Sequence, residues 1–81
     1  MTQRNKLIEN ILDNPKNVRF DNACRAAEWI GFRCEGGKGS HWRYLRPGEP
    51  DGLNFQNHRG RLPEYQAKQL IRMLKKYGAE L

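Results

Sequence analysis

Within the middle of the chain, Ser40 to Arg46 and Leu53 to Gln56 alternate with period two; on either side of Phe32 to Gln56 the apolar residues recur every third or fourth. At the centre lies Gly36-Gly37-Lys38-Gly39-Ser40-His41-Trp42-Arg43-Tyr44, a glycine-rich turn feeding an alternating segment. Glycine lacks a Cβ, so this turn can take positive φ and come close to a partner. After it, His41, Arg43 and Leu45 are expected on one side of a strand and Trp42 and Tyr44 on the other. The two aromatics suit the buried side. His41 and Arg43 then share a more open face beside a turn that carries Lys38.

The flanks read as helices. Leu7, Ile8, Ile11 and Leu12 form an apolar stripe within Gln3 to Asp13, and Asn14-Pro15 ends it because proline pushes the preceding residue out of the α region. Lys16 to Phe20 is a linker. Asp21 is the expected N-cap of a second helix carrying Ala23, Cys24, Ala27 and Ile30, with Trp29 at its flank and Gly31 closing it. Phe32 to Glu35 and Ser40 to Arg46 are expected as a hairpin. Pro47-Gly48-Glu49-Pro50-Asp51-Gly52 is a turn, and Leu53 to Gln56 a third strand. A basic loop, Asn57 to Arg61, leads to a last helix beginning at Pro63, with Ala67, Leu70, Ile71, Leu74 and Tyr77 on its stripe. The expected fold class is α+β: an α-α-β-β-β-α chain with a three-stranded antiparallel sheet, its helices packed on one face.

A chain of 81 residues makes one domain, 1–81, that buries about 60–65% of its unfolded surface. Fifteen Lys and Arg against nine Asp and Glu give a net charge of +6. Such a balance favours a polyanionic partner, and nucleic acid is the commonest. Cys24 and Cys34 lack metal-site spacing and read as buried free thiols. No apolar run approaches the roughly 20 residues needed to span a bilayer, so no membrane partner and a cytoplasmic location are expected. Neither a Walker loop, a nucleophile elbow nor a dinucleotide fingerprint is present, and the expected chemistry uses no metal and no cofactor.

Histidine is the side chain whose ordinary pKa lies nearest neutrality, so His41 can take a proton from a ribose 2′-hydroxyl or give one to a leaving 5′-oxygen. Lys38 and Arg43 can hold the scissile phosphate, and Ser40 can position it. On residues alone a lone histidine also fits an ordinary surface position. His58 is a candidate second acid–base group or a phosphate contact, flanked by Arg59 and Arg61. On the last helix Lys68, Arg72, Lys75 and Lys76 lie opposite the apolar stripe; such a face serves a phosphate backbone or simply water. Trp42 and Tyr44 suit either core packing or base stacking.

Four segments occur in a particular order: Asn14-Pro15-Lys16-Asn17-Val18-Arg19-Phe20, Gly37-Lys38-Gly39-Ser40-His41, Arg46-Pro47-Gly48, and Pro63-Glu64-Tyr65-Gln66-Ala67-Lys68-Gln69-Leu70. Together they cover nearly the whole chain, and in this order they resemble the HicA toxin family of bacterial toxin–antitoxin systems. The resemblance implies a double-stranded-RNA-binding-domain-like fold and an endoribonuclease that cleaves mRNA and arrests growth. It implies a cognate HicB-like antitoxin partner and carries the family's catalytic histidine onto His41; operator DNA would be bound only through the antitoxin complex. A non-catalytic module that blocks translation by occupying RNA is the main alternative.

Overall fold

The structure, a computed structural model describing residues 3–78, has the order α1 (Gln3–Asp13), a 3-10 turn (Pro15–Asn17), α2 (Phe20–Trp29), β1 (Arg33–Lys38), β2 (His41–Leu45), β3 (Leu53–Gln56) and α3 (Glu64–Tyr77). The strands form an antiparallel sheet in the order β1-β2-β3. This is the α+β fold and the α-α-β-β-β-α order expected from the sequence. Asn14, with φ −141° and ψ 67°, has left the helical region ahead of Pro15, so α1 ends where proline requires. At the far end of α2, Gly31 takes φ 94°; its amide donates to Glu28 O at 3.1 Å and the Phe32 amide to Ala27 O at 3.0 Å. This crossed pair satisfies carbonyls left over at the helix end and turns the chain into the sheet.

One sheet face is covered and the other is bare. Tyr44, Leu53 and Phe55 are buried against Ala23, Ala27, Leu70 and Leu74, while His41, Arg43 and Asn54 on the opposite face are exposed. Three fully buried alanines on α2 (Ala23, Ala26 and Ala27) let that helix come close to its neighbours, since a methyl group holds the backbones little apart. Each fully buried leucine or phenylalanine contributes about 1.5–3 kcal/mol.

Several local expectations are corrected. β1 runs to Lys38, so Gly36 and Gly37 lie within the strand and the turn is only Gly39-Ser40. A two-residue hairpin with positive φ at its first position, here Gly39 at 64°, matches the twist of the paired strands. Asp21 is not the N-cap: its carboxylate accepts from the adjacent Asn22 amide, and α2 starts at Phe20. The cause is tertiary. Arg19 is held extended by a bridge to Arg61, and the Phe20 amide donates to Gly60 O at 2.9 Å. Val18, assigned to a linker, is 2% exposed and belongs to the core. Both cysteines are free; Cys34 lies exposed on edge strand β1 and only Cys24 is partly buried. Burial pushes the Cys24 thiol up, partly offset by its hydrogen bond with Tyr44. No helix among the described residues is long and apolar enough to cross a membrane.

Glu49, inside the turn between β2 and β3, has a side chain only 1% exposed. Its carboxylate accepts from Lys76 Nζ at 2.7 Å, from the Tyr77 hydroxyl and from the Asp51 amide at 3.0 Å, tying the turn to the end of α3. The Lys76 hydrogen bond, then those from Tyr77 and Asp51, hold the carboxyl at about 2, against an ordinary 4.5. A carboxyl depressed on folding adds stability above its unfolded value and loses it as pH falls toward the folded one. The melting temperature is therefore expected to drop between about pH 4.5 and pH 2, and Glu49→Gln to flatten that limb while lowering stability at neutral pH. A wild-type acid limb retained in Glu49→Gln, followed by thermal denaturation across pH, would assign the acid sensitivity to other carboxyls.

Candidate nucleic-acid interface

His41 is the first residue of central strand β2, directly after the Gly39-Ser40 turn. It pairs with Lys38 on β1 and with Gln56 on β3. Arg43, two residues on and therefore on the same face, pairs with Gly36 and Asn54. The Gly36 position has no side chain to compete with the guanidinium for the space over β1. His41, Lys38 and Arg43 are all exposed, and all line one open cleft of about 560 Å³. Sequence alternation thus placed the histidine on the uncovered face.

Three features of this cleft were not read from the sequence. A register shift between Cys34 and Gly36 makes Glu35 an extra residue on β1, and this bulge brings a carboxylate into the cleft lining. Trp42 is 40% exposed rather than buried. Its indole lies instead against the Gly37 backbone: a Cβ at Gly37 would fall 2.6 Å from Trp42 Cε3. Tyr65, 62% exposed in the first turn of α3, lines the same cleft. Its position off the apolar stripe was the available signal. Gln66 fixes α3 to this end of the sheet, its Oε1 accepting from the Gln56 amide at 2.7 Å.

The loop after β3 begins beside the hairpin, where the Asn57 amide donates to Ser40 O at 2.7 Å. Ser40 therefore contributes a backbone contact there, and its side chain does not line the cleft. The chain then turns tightly: His58 and Arg61 exchange backbone hydrogen bonds at 2.9 and 3.0 Å around Arg59 (φ 54°) and Gly60 (φ 84°). His58, Arg59 and Arg61 line a second hollow of about 640 Å³ that Lys16 shares and His41 does not. The two histidines thus stand in separate concavities.

On α3, Lys68 pairs with Glu64 at 3.5 Å, Arg72 with Asp51 at 3.4 Å, and Lys76 with Glu49 at 2.7 Å. An acid beside each of these three cations, Glu64 on α3 and Asp51 and Glu49 in the turn after β2, makes Lys68 and Arg72 weaker phosphate ligands than their spacing suggested. By contrast, Lys16, Lys38, Arg43, Arg59 and Arg61 have no carboxylate partner among the described residues. The Ser40–Asn57 backbone contact ties the loop that carries Arg59 and Arg61 to the hairpin that carries Lys38 and Arg43. Among the described residues no three His, Cys, Asp or Glu side chains cluster as metal ligands. Comparison with protein-family models, with curated proteins and with solved structures finds no match to this chain.

Proposed function

We propose that the chain is an endoribonuclease toxin of the HicA type, cleaving mRNA in the bacterial cytoplasm with His41 as its acid–base group. The observation that carries this reading is the exposure of His41 on the bare sheet face, in one cleft with the exposed cations Lys38 and Arg43. In the reaction, His41 takes the proton of a ribose 2′-hydroxyl. The freed oxygen forms a bond to the adjacent phosphorus as the bond to the 5′-oxygen breaks, leaving a 2′,3′-cyclic phosphate. Lys38 and Arg43 offset the charge that builds on the phosphate oxygens. The 5′-oxygen leaves with a proton taken from solvent water; Glu35 is the one carboxylate lining the cleft.

Trp42 and Tyr65 give the same cleft exposed aromatic surface on which bases can stack. A HicB-like antitoxin would neutralise the toxin, and operator DNA would be engaged only through that complex. RNA occupancy without cutting uses the same basic surface, and the 2′-hydroxyl separates the two readings. Incubated with the purified chain, an RNA oligonucleotide is expected to be cut. A version with 2′-deoxyribose at the cut position is expected to be bound and left intact. Cleavage of both at one rate would remove the 2′-hydroxyl from the mechanism; binding without cleavage of either would favour occupancy.

A further inference from the structure

The hollow beyond the Ser40–Asn57 contact takes no part in the chemistry at His41. Lys16, His58, Arg59 and Arg61 line it, and Glu64 is the one carboxylate in its lining, already engaged with Lys68. Arg59 is the only non-glycine among the described residues with positive φ. A side chain with a Cβ is disfavoured there, and a two-residue turn with positive φ at both central positions prefers Asn-Gly. Among the described residues the guanidinium has no partner to offset that disadvantage. The turn beneath it is anchored at every side: Asn57 Oδ1 accepts from the Gly60 amide at 2.7 Å, the Phe20 amide donates to Gly60 O at 2.9 Å, and the Leu62 amide to Val18 O at 2.8 Å. A strained residue on a rigid base, with its charge left free, is better explained by a ligand than by folding.

We infer that this hollow is a second phosphate subsite, which holds a phosphodiester of the same polynucleotide away from the one at His41. Arg59 is its principal ligand, with Lys16 and Arg61 beside it. The inference rests on RNA being the substrate, though not on its being cut. The Asn57 amide donates to the carbonyl of Ser40, the residue before His41, so the loop that carries Arg59 is tied to the hairpin that carries His41. Phosphate contacts set register on the strand and carry the salt dependence of binding.

The test uses the full chain carrying His41→Ala, so that RNA persists, and a short fluorescein-labelled single-stranded RNA titrated over a salt series. Arg59→Asn is added in that background, with Arg25→Gln as the control that removes an exposed cation from α2 instead. Arg59→Asn is expected to melt at the same or a higher temperature, bind roughly tenfold more weakly, and lower the log–log salt slope by about 0.7. Arg25→Gln should leave the slope unchanged. Equal effects of the two substitutions would overturn the subsite while leaving the nuclease reading intact. Arg59-dependent binding in this background, with the wild-type chain cutting no RNA, would uphold the subsite and remove the nuclease. A chain that binds no RNA at low salt overturns both. If Arg59→Asn weakened binding of poly-glutamate more than of RNA, the hollow would belong to an acidic protein partner and the inference would fall. Should Arg59→Asn not fold, Arg59→Gly gives the same comparison, since glycine tolerates the conformation.

Discussion

Replacing His41 by alanine is expected to lower RNA cleavage by roughly 10²–10⁴-fold, the usual contribution of a positioned acid–base group. The same change should leave the fold as it is. His41 is exposed at the start of β2, on the face that no helix covers, so removing its ring opens no cavity and strands no buried polar partner. RNA affinity should change little, because Lys38, Arg43 and the cations of the neighbouring hollow remain. Three measurements check this: single-turnover cleavage, thermal melting, and binding at fixed salt. A variant that melts like wild type and still cuts within a few-fold of its rate would take His41 out of the chemistry. One that loses cleavage together with tens of degrees of melting temperature would make the histidine structural.

The second large effect concerns stability. Phe32→Ala should cost about 3–5 kcal/mol, the range for deleting a fully buried phenylalanine. Phe32 has no exposed surface and meets the Tyr77 ring edge-on, with centroids 6.3 Å apart. It also follows the Gly31 turn, so it joins the end of α2, the start of β1 and the end of α3. Tyr77 in turn donates to the buried Glu49 and carries the Arg46 guanidinium 3.9 Å above its ring. Loosening Tyr77 therefore disturbs the Glu49 cluster as well. Against a total stability of roughly 4–12 kcal/mol for a domain of this size, the loss is decisive. Chemical denaturation at neutral pH measures it, and a change under 1 kcal/mol would show that the surroundings close over the space.

Much of the fold was legible because its boundaries are set by local covalent rules. Pro15 stops α1, Gly31 ends α2, and the Pro47 to Gly52 run separates β2 from β3 whatever the rest of the chain does. Period-two alternation likewise separates His41 and Arg43 from Tyr44. What sequence could not supply was decided by contacts far along the chain. Glu49 finds Lys76 and Tyr77, 27 and 28 residues on. The start of α2 is fixed by Gly60 and Arg61 rather than by Asp21, whose capping propensity is weaker than a bridged backbone.

The candidate site divides in the same way. Lys38, His41 and Arg43 come together because one hairpin places them. His58, Arg59 and Arg61 come together in another hollow because one tight turn does. Glu35 escaped notice because a bulge is a matter of register between two strands, and register is not printed in either strand alone. Trp42 misled for a different reason. Alternation predicts the face of a residue but not how completely that face is covered. Lys68 and Arg72 looked free because Glu64 and Asp51 had not yet been placed beside them.

The central claim is that one accessible imidazole turns a ribose hydroxyl against its neighbouring phosphate. The chemistry of the cut ends reports on this most directly. After digestion of a defined RNA by the wild-type chain, the upstream product should carry a 2′,3′-cyclic phosphate or a 3′-phosphate and the downstream product a 5′-hydroxyl, with neither formed by His41→Ala. Upstream 3′-hydroxyl and downstream 5′-phosphate ends, or identical products from the alanine variant, would contradict it.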